Sequence, residues 1–286
     1  MRSFVIGLVL LSYCSLSALS PRNAVADEPK SGAKRVLYFT HEPGKYHKYT
    51  PQKEIFAGIA KRAGWEVTVM TGEHEPQIKR LRTPDFGKGY DAIVYNFCFA
   101  ASRDLEAAHN LMVQTREHGV PALLIHCSMH SWWATYKNGK AGSLGPNYKG
   151  EAKADPALVE QWRVAHADKP FPAWGDFTGV ASTRHGPKAP IRMVKTGDHP
   201  ATARYPDDFT TGKTELYNNV YVVDEVVPLI NGVQGNSKFT VMWTCPQGAS
   251  EVMGLTVGHD VNDWTADSYQ NLIIDGVNYL MRDKKE

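Results

Sequence analysis

Short runs that are apolar at nearly every position, each followed by a helical or turn-rich stretch, set the architecture of this chain. Val36, Leu37, Tyr38 and Phe39 form the centre of the first, at residues 35–40. The second spans 65–70, the third 91–96 and the fourth 121–125. A strand that alternates apolar and polar residues has one wet face. Strands apolar throughout are covered on both faces, which implies a parallel sheet between two helical layers. The intervening segments agree. Ile55, Phe56, Ile59 and Ala60 recur at helical spacing before Gly64, and a second helical pattern runs over 104–117 and stops at Gly119. The reading is an α/β three-layer sandwich with a mostly parallel sheet, of the flavodoxin-like kind.

The second half continues with strands at 191–195, 220–227, 239–244 and 252–257, and closes with a helix over 266–282 that puts Leu272, Ile273, Gly276, Val277 and Leu280 on one face. Between the halves lies a polar insertion, about 134–190, rich in Gly, Lys and Pro. Asp155 as N-cap and Pro156 as first residue start one helix inside it. No linker-like break and no repeat divides the chain, so 27–286 reads as a single domain. Residues 1–26 read as a signal peptide: Arg2, an apolar run from Phe4 to Leu19, and Ala24-Val25-Ala26 as a cleavage site before Asp27. The expectation is export to the periplasm or the extracellular space, with no membrane association after cleavage. That leader holds two arginines and no acid, so the rest of the chain balances 30 acidic residues with as many basic ones. A neutral balance gives no electrostatic case for nucleic acid or an anionic membrane surface. A homo-oligomer stays open.

Ligands of open parallel sheets bind beyond the carboxyl ends of the strands. His41 and His47 follow the first strand, Asn96 ends the third, His126 and His130 follow the fourth, and His259-Asp260 follow the last. Imidazole at that edge suits proton transfer or binding of a divalent metal. Glu215 and Asp260 add carboxylates, so His126, Glu215 and His259 form a candidate metal site with a position open for water or substrate, zinc being one such ion. No HExxH pattern is present, and the site depends on tertiary convergence. Trp132 and Trp133 are candidates for stacking on a sugar ring. A nucleophilic alternative uses Cys127 or Ser128 in the turn after the fourth strand, with His259 as base, although no glycine flanks that turn. After cleavage three cysteines remain, Cys98, Cys127 and Cys245, without metal-type CxxC spacing. Buried small hydrophobes are one reading of them; a Cys98–Cys127 bridge near two strand ends is another.

Several segments, in their order and spacing, resemble the trehalose-utilisation (ThuA-like) family, of the class I glutamine amidotransferase-like fold. They are Tyr46-His47 after the opening strand; Gly119 to His126; Trp174-Gly175-Asp176-Phe177-Thr178-Gly179 leading to His185; Asp198-His199-Pro200-Ala201-Thr202; Thr214-Glu215-Leu216-Tyr217; and Gly258-His259-Asp260. The resemblance implies a role in carbohydrate metabolism, with a disaccharide or a 3-keto-sugar derivative as partner. It points to His47, His126, His185, Glu215, Tyr217, His259 and Asp260. The expected division of labour is His126, Glu215, His259 and Asp260 in catalysis, and His47, His185, Tyr217, Trp132 and Trp133 in substrate binding. Where a glutamine amidotransferase has its nucleophilic cysteine this chain has His126, and Val261 replaces the acid two residues after the late histidine, so the glutaminase triad is absent. A non-catalytic carbohydrate-binding or accessory protein is the alternative to an enzyme.

Overall fold

The computed structural model describes residues 32–135, 154–182 and 184–283. The expected signal peptide and the middle of the insertion lie outside the described residues. A single nine-stranded sheet carries the fold, in the order β2-β1-β3-β4-β11-β10-β9-β6-β7. Its first part is parallel: β2 (Glu66–Met70), β1 (Arg35–Thr40), β3 (Ala92–Asn96), β4 (Ala122–Ile125) and β11 (Ser250–Leu255). From β11 onward every pairing is antiparallel, through β10 (Ser237–Gln247), β9 (Val227–Gln234), β6 (Ala189–Lys195) and β7 (Asp208–Thr214). Two short strands, β5 (Val180–Ala181) and β8 (Tyr221–Val222), pair separately.

The central strands have two buried faces. Val36 and Tyr38 of β1 join one core with Phe56, Ile59, Leu272, Ile273 and Val277. Leu37 and Phe39 join the opposite core with Ala107, Ala108, Leu111, Trp174 and Phe177. The first layer comprises α1 (Tyr49–Ala63), α6 (Val261–Thr265) and α7 (Asp267–Leu280). The second contains α2 (His74–Arg80), α3 (Leu105–Arg116) and α5 (Trp174–Thr178). The helix predicted inside the insertion is α4 (Pro156–Ala165), and the Asp155 carboxylate accepts from the Ala157 N–H at 3.0 Å. Leu158, Val159 and Trp162 of α4 pack with Leu105 and Phe171 in a smaller core.

Two sequence expectations shift. The strand expected at 220–227 is divided: β8 occupies Tyr221–Val222 and pairs with β5, and β9 begins only at Val227. Asp224 and Glu225 break the apolar run between them, and Pro228 precedes the register with β6, which begins at Ile230. β7 was not expected at all: its Asp-Phe-Thr-Thr-Gly-Lys-Thr sequence carries the polarity of an exposed sheet edge. No helix among the described residues is long and apolar enough to cross a membrane.

Candidate functional site

Because β1, β3, β4 and β11 are parallel, their carboxyl ends share one edge. His126 stands directly after β4 with φ of +48°, a left-handed conformation that costs a non-glycine residue about 1–2 kcal/mol. The turn buries its imidazole. Nδ1 lies 2.6 Å from the Thr256 carbonyl oxygen, which can only accept, so Nδ1 carries the proton and Nε2 keeps its lone pair. Around Nε2 stand Tyr217 Oη at 3.0 Å, His259 Nδ1 at 3.2 Å and Glu215 Oε2 at 3.5 Å. His259 Nδ1 is in turn 3.2 Å from Glu215 Oε2.

The loop after β11 is fixed by its backbone. Gly258 has φ of +121°, and a Cβ there would lie 2.2 Å from Tyr269 Oη. Gln52 of α1 donates to the carbonyls of Gly258 and His259 at 3.3 and 3.2 Å, and accepts from Asn96 at 2.9 Å. Asn96 also donates to Tyr38 Oη. Asn96, expected at the edge as a strand end, thus helps hold the His259 loop rather than facing a ligand. Gln52 gave no signal in the sequence, because a polar residue on a helix reads as surface.

His47 completes the cluster. Its ring centroid lies 4.9 Å from that of His126 and 4.8 Å from that of His259, and its Nδ1 is buried without a partner. His47, His126 and His259 each offer a ligand atom within 4.8 Å of the others. His130 stacks face to face on Tyr217, with centroids 3.8 Å apart. His185 is exposed at the mouth, with Nδ1 against the Gly186 carbonyl and Nε2 3.6 Å from Glu215 Oε1. His47, His130, His185, Glu215, Tyr217 and His259 line a cavity of about 250 Å³, together with Tyr46, Cys98, Cys127 and Trp133, while the buried His126 ring is not part of its lining. A second cavity of about 400 Å³ shares Tyr46, His47 and Cys98 and is closed by His41, Tyr49 and His74.

Burial, then the charge of His47, pushes His126 well below the ordinary imidazole range, and burial does the same to His130. Both are neutral bases. Burial, the largest single cause, raises Glu215, but the hydrogen bond to His259 and the charges of His259, His185 and His47 together leave the carboxylate below its usual range. Burial raises the Tyr217 phenol well above its usual range, so it remains a hydrogen-bond donor.

The fit to a metal ion can be judged from the donors. A tetrahedral ion with bonds of about 2.0–2.2 Å holds its nitrogen and oxygen ligands about 3.3 Å apart. The edges of the His126–His259–Glu215 triangle are 3.2, 3.2 and 3.5 Å. The donors are two imidazoles and a carboxylate, and Thr256 fixes the His126 tautomer that frees Nε2. The residues present fit a divalent cation.

Other expected site residues lie elsewhere. Trp132, expected to stack on substrate, is 1% exposed, packs on Trp174, Phe97 and Phe99, and donates to the Asp104 carbonyl. Its φ of +59° turns it into the core, while Trp133 faces the cavity with its indole N–H unpaired. Tyr46, 65% exposed, forms another aromatic wall. Asp260, expected in catalysis, sits on the rim: its carboxylate pairs with Lys188 at 2.8 Å and comes no closer than 3.8 Å to His259 Nε2. The nucleophilic alternative fails for Ser128, which is fully buried, donates to the Tyr95 carbonyl and accepts from the Phe97 N–H. Cys127 is buried with its sulfur against Cys98, and that contact and burial raise its thiol well above the usual range. Contact with Cys127 instead lowers Cys98 to about 5. His199 caps a turn by accepting from the Ala201 N–H.

The sequence matches the model of the ThuA family, described by trehalose utilisation, over residues 35–280. The chain belongs to the ThuA family. Solved structures agree on the fold. A ThuA-like protein from Parabacteroides merdae superposes with a TM-score of 0.60 at 13% identity, covering 87% of this chain and 90% of that one. Another from Bacteroides uniformis gives 0.59 at 12% identity, covering 89% and 95%. No curated protein matches the sequence.

Proposed function

We propose that this ThuA-family chain is a sugar-processing enzyme that acts on a disaccharide or its 3-keto derivative through a divalent cation held by His126 Nε2, His259 Nδ1 and Glu215. Zinc suits this donor set. The observation that carries the reading is the triangle of donor atoms, whose edges of 3.2, 3.2 and 3.5 Å match the span around one ion. The family's link to trehalose supplies the substrate class. When bound, the cation supplies Lewis-acid polarisation of a sugar carbonyl or hydroxyl.

The chain's own residues do the rest. Thr256 holds the His126 tautomer, and the Tyr217 hydroxyl stands 3.0 Å from His126 Nε2. His185 stands at the exposed mouth with Nε2 facing inward, placed to move a proton to or from a sugar oxygen. A carbonyl acidifies the neighbouring C–H, so a keto-sugar would give such a base a proton to take. Trp133 and Tyr46 offer aromatic faces for a pyranose ring. The larger of the two neighbouring cavities, about 400 Å³, falls in the range of about 300–1,000 Å³ usual for small-molecule sites. Arg2, the apolar run behind it and Ala24-Val25-Ala26 support export of the enzyme as part of this proposal.

The test pairs metal analysis with turnover. Purified protein should retain about one zinc-class ion per chain, and His126→Ala and Glu215→Gln should each lose it. Chelation should abolish turnover in a screen of disaccharides and 3-keto-glycosides. Binding without turnover would make the chain an accessory protein. Turnover unchanged by chelator and by both substitutions would refute the assignment.

A further inference from the structure

Beside the imidazole cluster a second pair of groups meets across the wall shared by the two cavities. Cys98 follows β3 and Cys127 follows β4, and both lie at the carboxyl edge of neighbouring parallel strands. Their sulfurs are 2.7 Å apart. Unbonded heavy atoms rest about 3.5–4.0 Å apart. Two thiolates on one tetrahedral ion, with bonds of about 2.3 Å, would stand about 3.8 Å apart. The nearby nitrogen–oxygen triangle has the edge length of an ion's ligands, whereas the sulfur pair is more than 1 Å too close for that. Accessibility is unequal. Cys98 is half-buried and lines both cavities, while Cys127 is 8% exposed and lines one. The third described cysteine, Cys245, is fully buried on β10 with its sulfur against Pro246 and Gln247.

We propose that Cys98 and Cys127 form an oxidative modification site, in which Cys98 meets a small hydroperoxide entering the cavity and Cys127 resolves the product into a disulfide. In the first step the Cys98 sulfur attacks the peroxide, an S–O bond forms, the O–O bond breaks, and an alcohol or water leaves with the thiol proton. In the second step the Cys127 sulfur attacks Cys98, an S–S bond forms, the S–O bond breaks, and water leaves with the second thiol proton. Two thiols and one hydroperoxide thus give one disulfide, one alcohol or water, and one further water. The bond ties the ends of β3 and β4 across the wall beside His47. The proposal is independent of the sugar reading, since its readouts are thiols and not turnover.

Full-length reduced protein is treated with about one equivalent of hydrogen peroxide per chain. The expected result is loss of two thiols per chain under denaturing conditions, a peptide pair linking Cys98 to Cys127, and full reversal by dithiothreitol. In Cys127→Ser, Cys98 should stop at the sulfenic acid and take a dimedone label; in Cys98→Ser, Cys127 should take none. Both thiols surviving in the wild type, linkage of either to another cysteine, or dimedone on Cys127 would overturn the proposal. So would a stoichiometric metal ion lost on Cys127→Ser while the wild-type pair stays reduced. The wild-type thiol count and peptide map need no variant, so a misfolded substitution leaves the test intact.

Discussion

Acid should weaken the metal-free protein well above the pH at which carboxylates titrate. His126, His130 and His41 are each about 2% exposed or less. Burial holds His126 and His130 well below the ordinary imidazole range and lowers His41 to about 4. In the unfolded chain each titrates near 6.5. Between that value and the lower folded one, the unfolded state takes up a proton that the folded state refuses. Stability is therefore full above about pH 7 and falls as pH drops through the window. At pH 5.5 each imidazole that stays neutral costs about 1.4 kcal/mol relative to pH 8, so the three together cost about 4 kcal/mol. That is a large part of the about 5–15 kcal/mol typical of a folded domain. Glu215, held low, is ionised in both states over this range and changes nothing. Asp176 and Asp263, raised by burial, pull the other way at lower pH, which is why the window stops at 5.5. The assay is urea denaturation of chelator-treated protein at pH 8, 6.5 and 5.5. His130→Phe keeps the ring stacked on Tyr217 and removes a buried nitrogen that has no partner. It should recover about 1.4 kcal/mol of the loss at pH 5.5. Equal stability at pH 8 and 5.5, or an unchanged slope in His130→Phe, would refute the reasoning.

Two further outcomes separate neighbouring explanations. His126→Gly and His126→Ala both remove the imidazole, but only glycine relaxes at φ of +48°, so the glycine variant should be the more stable by about 1 kcal/mol in urea denaturation. Trp132→Leu should cost about 3 kcal/mol or more of stability and leave ligand affinity intact in calorimetric titration, whereas Trp133→Leu should do the reverse.

The sequence made the parallel half of the fold legible for a physical reason, and the same reason exposed half of the site. Parallel strands all end at one edge, so whatever follows β1, β4 and β11 must meet there. His47, His126 and His259 follow those strands, and no knowledge of distances was needed to bring them together. Orientation was less legible. Trp132 and Trp133 are adjacent and chemically alike; only the left-handed turn at 132, which no residue type there announces, sends one inward and the other to the cavity. The antiparallel half hides more. Glu215 and Tyr217 follow β7, the far edge of the sheet, and nothing in strand order predicts that they return to the histidines. What brings them back is local pairing: Thr214 donates to Asp263 just after His259, and His185 bridges Tyr217. Asp263 therefore does for the returning segment what Gln52 does for the His259 loop. Both are buried polar residues on helices, where a sequence pattern shows only an interruption of the apolar face. The reach of sequence reasoning at this site ends where position is set by hydrogen bonds between segments, and the residues that make those bonds are the ones whose loss should loosen the triangle while leaving its three ligands in place.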